Sequence, residues 1–548
     1  MPLPFCRCRR FARPAKSIAV VIATLGASGL LGWSANAVAT PYIHEVAHAL
    51  HQRNPGTEGK VWWISHGNAL SGDWLLQTPD CWGERVCADD PPRGGHGILV
   101  RIVQMITHAQ RSVDFSGLLP PPDHAFRQAI LEGLRQAVAR GHHPLVRILV
   151  GSPPCGHNGT CMDVHGYLHK FERDLGHQLP VQVAAVSTHR QGLFPGVATS
   201  WNHSKVIDVD GSSAIVGGMN YYSNDYLQTA DPANDVSMAV RGPAALDVMS
   251  FDDVLWRWTC AHRQQSIRVH FAESRIPGGC SGNSVALAPP HAGHVAILTL
   301  GRLGNGIEVP DHPGRHSPPI PVARVRGSAC HRLQGQRSDT NTNPEYEYRN
   351  PGETGLRALI ASARHSIFIS QQDMLSCVFI VEALFDERVF AALGNKVAHG
   401  IPIKIVLSAE DARAGGDSYS NKGHFLVAPV KQTAETLKKV VAKQQHIRED
   451  RARAMVCNDV SLATIRNSAL PTWPNGSGYA NHAKVVSVDD AAFYIGSQNL
   501  YPARLQELGL IVENPSASAT LKHQYLDPLW GQSQGLAYID PGRACGPF

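Results

Sequence analysis

Two short segments of the chain carry the same reactive side chains at the same spacing. The first is Asn202-His203-Ser204-Lys205 and the second is Asn481-His482-Ala483-Lys484, and in both an aspartate follows the lysine after four intervening residues. An imidazole titrates near neutral pH and can act as a nucleophile, an acid or a base. An ammonium group can stabilise negative charge that develops during a reaction. The pair of segments therefore indicates chemistry on an anionic group such as a phosphate.

The residues that follow each lysine predict how these side chains are held. They are β-branched, which predicts strands, and a strand places His203 and Lys205, or His482 and Lys484, on one face. Turn formers then predict hairpins. The return strands end in small residues, which allow close approach, and in an amide. In the two copies these residues are Gly217, Gly218 and Asn220, and Gly496, Ser497 and Asn499. Two such edges facing each other would surround one tetrahedral phosphate.

Simpler interpretations exist for part of this pattern. His203 and His482 could be packed strand residues, but a lysine two residues away would be an unusual core neighbour. The motif acids Asp210 and Asp489 are also candidate catalytic residues. Their turn context favours a role in holding the hairpins instead.

The chain repeats itself once outside these motifs. Residues 109–116 resemble residues 363–370, and the strand-like residues 146–150 correspond to residues 403–407. Each half is predicted to be strand, helix, strand, an α/β pattern with helices covering a sheet. A stretch rich in Pro and Gly, residues 275–350, separates the halves. We expect a boundary near residue 290, with an N-terminal half at 40–290 and a C-terminal half at 291–548.

Composition limits the class of protein. The chain has 548 residues, 43% of them hydrophobic, which is enough for large cores. Its formal net charge of +5 and its pI of about 8.6 are mild. The body of the chain has no long Lys/Arg run, so we expect no nucleic-acid partner.

The first 39 residues predict a secretory signal. A basic start is followed by an apolar stretch at residues 17–33 and by Ala-x-Ala-like residues at 35–39. A membrane anchor is the alternative, but the stretch is short for a full span. We therefore expect export to a periplasm or out of the cell.

Cysteine usage agrees with export. Cys6 and Cys8 lie in the signal, and an even ten of the twelve cysteines remain in the mature chain. Disulfides are favoured in an oxidising compartment. The predicted pairs are Cys81–Cys87, Cys155–Cys161, Cys260–Cys280 and Cys330–Cys377, with Cys457 and Cys545 left over.

These motifs resemble those of the phospholipase D superfamily, and in particular its secreted actinomycete-type members. The resemblance extends from about residue 41 to about residue 534. It implies two similar α/β/α sandwich halves packed as a pseudo-dimer. It also implies hydrolysis of phosphatidylcholine-type lipids to phosphatidic acid and a free alcohol, with transfer to other alcohols. The segments that carry it are residues 74–79, 81–83, 200–205, 225–227, 235–236, 255–260, 369–373 and 486–502.

The resemblance also implies a role for each site residue. His203 would attack phosphorus to form a phosphohistidine, and His482 would protonate the departing alcohol and then activate water. Asp235 and Glu507 would orient the histidines, although the resembling enzymes have aspartate at the second position. No metal or cofactor is needed in this scheme. The groups that would hold the phosphate oxygens are Lys205, Lys484, Asn220 and Asn499.

Positions at which this chain departs from the family's pattern would affect substrate selectivity. Tyr222 stands where the family has tryptophan, and Ala483 where it has histidine. Tyr419 resembles an aromatic residue of the family's entrance, where a choline head group could make a cation–π contact. Packing is the alternative for both tyrosines. The candidate substrate-binding residues are Trp201, Gly218, Ser497, Tyr222 and Tyr419.

Three other functions compete with this hypothesis. A secreted nuclease would usually carry one motif per chain and pair as a dimer, whereas this chain carries two and is expected to be a monomer. A non-catalytic phosphate- or lipid-binding protein would have lost a motif histidine, and both are present. A phosphatidyl-transferring synthase would normally lack an export signal. We therefore favour a phospholipase D that acts on phospholipid at a membrane or micelle surface, with water or an alcohol as acceptor.

Overall fold

A computed structural model describes the chain from Thr40 to Phe548 with several gaps. The signal segment lies outside the described residues, as do the pair Cys155–Cys161, Cys330 of the pair Cys330–Cys377, and Tyr419. The described residues are 40–70, 72–152, 162–189, 200–274, 279–288, 291–311, 337–338, 344–378, 382–409, 412 and 429–548.

The described chain alternates strands and helices. The strands are β1 (Trp62–Asn68), β2 (Leu75–Thr78), β3 (Ser112–Leu118), β4 (Leu145–Gly151), β5 (Val181–His189), β6 (Ser200–Trp201), β7 (Val206–Val209), β8 (Ser213–Gly217), β9 (Asp235–Arg241), β10 (Val269–Glu273), β11 (Val295–Arg302), β12 (Arg337–Ser338), β13 (Ile367–Gln371), β14 (Leu375–Val378), β15 (Glu382–Phe385), β16 (Ile403–Leu407), β17 (Val460–Thr464), β18 (Lys484–Val488), β19 (Ala492–Gly496), β20 (Glu507–Glu513), β21 (Ile539–Asp540) and β22 (Ala544–Cys545). The α-helices are α1 (Pro41–Arg53), α2 (Arg93–Ile106), α3 (His124–Ala139), α4 (Val164–Asp174), α5 (Ser223–Tyr226), α6 (Pro243–His262), α7 (Pro344–Arg349), α8 (Pro351–Ser362), α9 (Glu387–Ala398), α10 (Pro429–Gln445), α11 (Glu449–Asp459), α12 (Pro515–Leu521) and α13 (Asp527–Ser533). A π-helical turn (Lys522–Leu526) joins α12 to α13, and a 3-10 turn (Gln534–Leu536) follows α13.

Two large sheets share one strand order. The first contains β5-β4-β3-β7-β8-β9 and the second contains β17-β16-β13-β18-β19-β20. In each, the first three strands are parallel and the last three antiparallel to their neighbours. Helices α3 and α9 provide the crossovers between the central parallel strands. The internal repeat and the α/β class predicted from the sequence are thus confirmed.

Strand β1 does not follow the predicted division at residue 290. It pairs antiparallel with β11 of the second sheet, with Trp62 opposite Leu300. Helix α1 packs beside it on α8, in a cluster that includes Val46 and Leu359. The segment from Pro41 to Asn68 therefore completes the second lobe, because it covers apolar surface that β11 and α8 would otherwise expose.

The two lobes share a central apolar layer. Val206 of β7 and Val485 of β18 face one common cluster, which also receives most of helix α6. Their neighbours Ile207 and Val486 face separate outer clusters. Both faces of each sheet are therefore buried, which explains why these strands are apolar on both sides. None of the described helices is long and apolar enough to cross a bilayer.

Three disulfides are present among the described residues. The predicted pairs Cys81–Cys87 and Cys260–Cys280 are confirmed. Cys457 and Cys545, which the sequence left unassigned, are bonded to each other across 88 residues. This bond ties α11 to β22 near the end of the chain.

We expect peptide mapping of the unreduced protein to recover Cys457 and Cys545 in one linked pair. A crosslink over a long loop restricts the unfolded chain, so replacing both by serine should lower the free energy of unfolding by about 4 kcal/mol. The same double replacement at Cys81 and Cys87, six residues apart, should cost only about 2 kcal/mol. Free thiols at positions 457 and 545 in the native protein would contradict the assignment.

Candidate active site

The two motif histidines lie close before the central strands β7 and β18, where the two lobes are in contact. Each enters its hairpin through a short bridge to the other lobe, Asn202 with Gln506 and Asn481 with Asn234. The backbone N–H of His203 donates to the carbonyl of Gln506 at 2.8 Å. The backbone N–H of His482 likewise donates to the carbonyl of Asn234 at 2.8 Å. Backbone hydrogen bonds thus fix each histidine against the lobe that does not contain it.

The orienting acids are crossed between the lobes. Nδ1 of His203 lies 3.1 and 3.0 Å from the two carboxylate oxygens of Glu507. Nδ1 of His482 lies 2.7 Å from Oδ2 of Asp235. Each acid is the first residue of its strand, β20 or β9, directly after the residue that bridges to the histidine. All four side chains are buried, and each bond occupies Nδ1 and leaves Nε2 for a substrate.

The two motif lysines are fully buried beside the histidines. Nζ of Lys205 donates to the carbonyl of His203 at 2.6 Å, and Lys484 makes the equivalent bond to His482. Burial lowers the pKa of Lys205 well below its usual value and that of Lys484 to about 8. Because the two ammonium groups also repel each other, an anion bound between them would offset an unfavourable charge.

The two histidine–acid pairs have different electrostatics. Burial lowers the pKa of His203 to about 4 and that of His482 well below its ordinary value. Burial also raises the pKa of Asp235 to about 7, partly opposed by Lys484. The pKa of Glu507 is lowered instead, because His203, Arg302 and Lys205 outweigh its burial. Glu507 is therefore a carboxylate near neutral pH, whereas the His482–Asp235 pair retains a proton up to about pH 7.

Asn220 and Asn499 follow the return strands as predicted. Both are buried, and the Oδ1 atom of each has no hydrogen-bond partner among the described residues. A buried polar atom without a partner is costly, and a flip of the side-chain amide can present an N–H there instead. Both positions are thus suited to a bound phosphate oxygen.

Gly218 and Ser497 occupy equivalent positions but have different contacts. A Cβ at Gly218 would lie 2.3 Å from Oδ1 of Asp235, so no side chain fits. Oγ of Ser497 donates to Glu507 at 2.5 Å. Both were predicted to bind substrate, and their contacts in the structure are with the orienting acids.

Two of the aromatic residues predicted to bind substrate, Tyr222 and Trp201, lie within the described residues, and they have different surroundings. The Tyr222 hydroxyl donates to the carbonyls of Leu118 and Leu119 at 3.0 and 2.7 Å, which supports its packing interpretation. Trp201 lies in β6, two residues before His203, and its ring is partly exposed. Its role in substrate binding remains a prediction.

Asp210 and Asp489 lie at the opposite ends of the hairpin strands from the histidines. Each has a positive φ, 58° and 57°. Asp210 accepts backbone N–H bonds from residues 110, 111 and 112, and Asp489 accepts them from residues 364, 365 and 366. These contacts hold the turns against the repeated segments, so the turn interpretation replaces the catalytic one for both.

Two further side chains of the site were not predicted from the sequence. The Tyr226 hydroxyl lies 3.2 Å from Oδ2 of Asp235 and 3.1 Å from Nδ1 of His482. Nη2 of Arg302 donates to Oε1 of Glu507 at 3.2 Å. Tyr226 belongs to a segment that carried the resemblance, but Arg302 stands far from every motif and gave no signal.

A phospholipase D from Streptomyces antibioticus is 36% identical to this chain over 550 residues, covering 98% of this chain and 95% of the relative. This chain belongs to the phospholipase D family. The solved structure of phosphatidylserine synthase from Haemophilus influenzae Rd KW20 shares the fold, with a TM-score of 0.52 and 13% identity over 90% of this chain and 92% of that one. A scan of protein-family models found no match. The chain is thus an enzyme of the phospholipase D family with a two-lobed α/β fold.

Because Asp210 holds a turn and Asp235 contacts His482, we expect replacement of Asp210 to lower stability and replacement of Asp235 to lower activity. Asp210→Ala should lower the free energy of unfolding by about 3 kcal/mol, because three backbone N–H groups lose a charged acceptor. The folded fraction should retain its phospholipase D activity within a few-fold. Asp235→Asn, which removes the charge beside His482, should lower kcat by about 10³-fold with little change in stability. Urea unfolding and kcat per folded molecule measure both, and a folded but inactive Asp210→Asn variant would contradict the turn role.

Proposed function

We propose that this enzyme is a secreted phospholipase D that hydrolyses phosphatidylcholine-type glycerophospholipids to phosphatidic acid and a free head-group alcohol. The observation that carries the proposal is the pair of crossed histidine–acid contacts, His203–Glu507 and His482–Asp235. In this proposal one imidazole attacks phosphorus and the other donates a proton, and the two buried lysines beside them supply positive charge. The similarity to the phospholipase D of Streptomyces antibioticus supports a phospholipid substrate.

The first step uses His203 as the nucleophile. Nδ1–H of His203 donates a hydrogen bond to Glu507, so the lone pair is on Nε2, which attacks phosphorus. The bond from phosphorus to the head-group oxygen breaks, and His482 gives that oxygen a proton from Nε2 while its own Nδ1 faces Asp235. Lys205, Lys484 and the two asparagines hold the other phosphate oxygens.

The second step reverses the proton transfer. The His482–Asp235 pair takes a proton from water, and the resulting oxygen nucleophile displaces His203 from phosphorus. Phosphatidic acid forms and both histidines return to their starting states. A primary alcohol in place of water would give a phosphatidyl alcohol, so transphosphatidylation is an expected side reaction.

Two further features support this proposal. One chain supplies both half-sites, which favours a monomer that works at a membrane or micelle surface. The three disulfides are typical of an oxidising compartment and favour export.

The mature protein should release choline from phosphatidylcholine in the presence of a chelator. His203→Ala and His482→Ala should each lower kcat by more than about 10³-fold, because either change removes a reacting imidazole. Ethanol should divert product to phosphatidylethanol in the parent protein. His142→Ala, at a partly exposed histidine outside the site, is the matched control and should retain activity. A folded parent that releases no choline would exclude phosphatidylcholine as the substrate.

The pH profile of kcat/KM should be bell-shaped. Below about pH 4 His203 gains a proton and loses its nucleophilic lone pair, so the rate falls as pH decreases. Above about pH 7 the His482–Asp235 pair loses the proton that the leaving oxygen needs, so the rate falls as pH increases. A short-chain, monomeric phosphatidylcholine avoids pH effects on the lipid surface. A rate that keeps rising well above pH 8 would contradict the acid role of the pair.

A further inference from the structure

The two orienting acids face different residues on the neighbouring strand. Asp235 of β9 lies opposite Thr78 of β2, whereas Glu507 of β20 lies opposite Arg302 of β11. The Thr78 hydroxyl donates to the carbonyl of Ala233 and not to Asp235. The guanidinium of Arg302 donates directly to Glu507. The pseudo-symmetric backbone therefore places a cation behind one acid and a neutral side chain behind the other.

Arg302 is held rigidly in this position. It is 1% exposed, and its Nε donates to the carbonyl of Leu505 at 3.0 Å. Its Nη1 lies 3.8 Å from Oε1 of Glu353, which also pairs with Arg357. A buried guanidinium needs paired acids to offset its desolvation, and Glu353 and Glu507 supply them. The carboxylate of Glu507 is thus fixed between Arg302, Ser497 and His203.

We propose that Arg302 is a positioning residue for His203, because it holds the Glu507 carboxylate that sets the orientation and tautomer of the attacking imidazole. This inference rests on the proposed role of His203 as the nucleophile. It assigns a function to a residue that lies outside both repeated motifs.

Arg302 would act by controlling where one proton lies in the Glu507–His203 pair. A buried carboxyl group without a cation tends to take up a proton, and Glu507 would then donate to Nδ1 of His203 instead of accepting from it. The imidazole proton would move to Nε2, and the lone pair needed for attack on phosphorus would be lost. The positive charge of Arg302 favours the ionised acid and keeps the proton on Nδ1.

The two histidines differ in the protonation of the acid beside them. Asp235 receives hydrogen bonds from the Tyr226 hydroxyl and the backbone N–H of Val236, and burial raises the pKa of this acid to about 7. Its histidine is thus suited to give a proton, whereas His203 is suited to attack. The charged and titratable groups that act on Glu507 from the surrounding elements are His203, Lys205, Arg302, Lys484 and Tyr494.

The test compares Arg302→Met and Arg302→Lys in the full mature protein, with short-chain phosphatidylcholine as the probe. Arg302→Met should move the acidic limb of the kcat/KM profile upward by about one pH unit, from about pH 4 to about pH 5. It should therefore lower kcat/KM about five-fold at pH 4 and change it little at pH 6. Arg302→Lys keeps the positive charge but loses the planar guanidinium group. The acidic limb of its kcat/KM profile should therefore stay near that of the parent. The basic limb, which belongs to the other pair, should not move in either variant.

Arg357→Met is the matched control, because Arg357 is a half-buried arginine of the same network that bonds Glu353 and Asp386 but not Glu507. Its profile should match the parent's even if its melting temperature falls. An Arg302→Met variant with lower activity and an unmoved acidic limb would overturn the proposal and leave Arg302 a structural role. If Arg302→Met does not fold, the comparison of Arg302→Lys with Arg302→Gln decides in the same way. An inactive parent would instead refute the proposed function.

Discussion

The crossed bonds between the histidines and acids are the constraint on which the rest of the site depends. His203 is oriented by Glu507 and His482 by Asp235, so neither lobe contains a complete half-site of its own. The parallel bridges at Asn202 and Asn234 add backbone hydrogen bonds directly beside each contact. Any displacement of one lobe relative to the other would break both pairs at once. The large shared core between the sheets is therefore a requirement of the chemistry as well as of stability.

Burying this many charges is costly unless each has a partner. The site contains two lysines, two acids and two histidines with almost no exposure to water. Mutual pairing offsets part of the desolvation, and the lowered lysine pKa values show that the offset is incomplete. A phosphodiester would supply the missing negative charge. The electrostatics of the site therefore favour a bound anion.

The sequence predicted what depends on local pattern, and missed what depends on contacts between distant strands. Alternation of apolar residues and turn formers was enough to place the hairpins that carry Lys205 and Lys484, and repetition was enough to predict two lobes. The place of β1 in the second sheet could not be predicted, because edge-strand pairing depends on which surface the other lobe leaves uncovered. The bond between Cys457 and Cys545 was missed for the same reason. Which acid meets which histidine was also open, since the crossing follows from how the lobes dock.

The symmetry of the two lobes is broken by the side chains around the two orienting acids. Gly218 leaves room for the short carboxylate of Asp235, since a Cβ there would collide with it. In the second lobe the longer Glu507 reaches past the equivalent position, where Ser497 fits and donates a hydrogen bond. Arg302 then faces Glu507 from β11, while Thr78 faces Asp235 from β2. The two lobes share one order of six strands around the site. In the proposed mechanism, these few side-chain differences allow one histidine to attack while the other carries the proton.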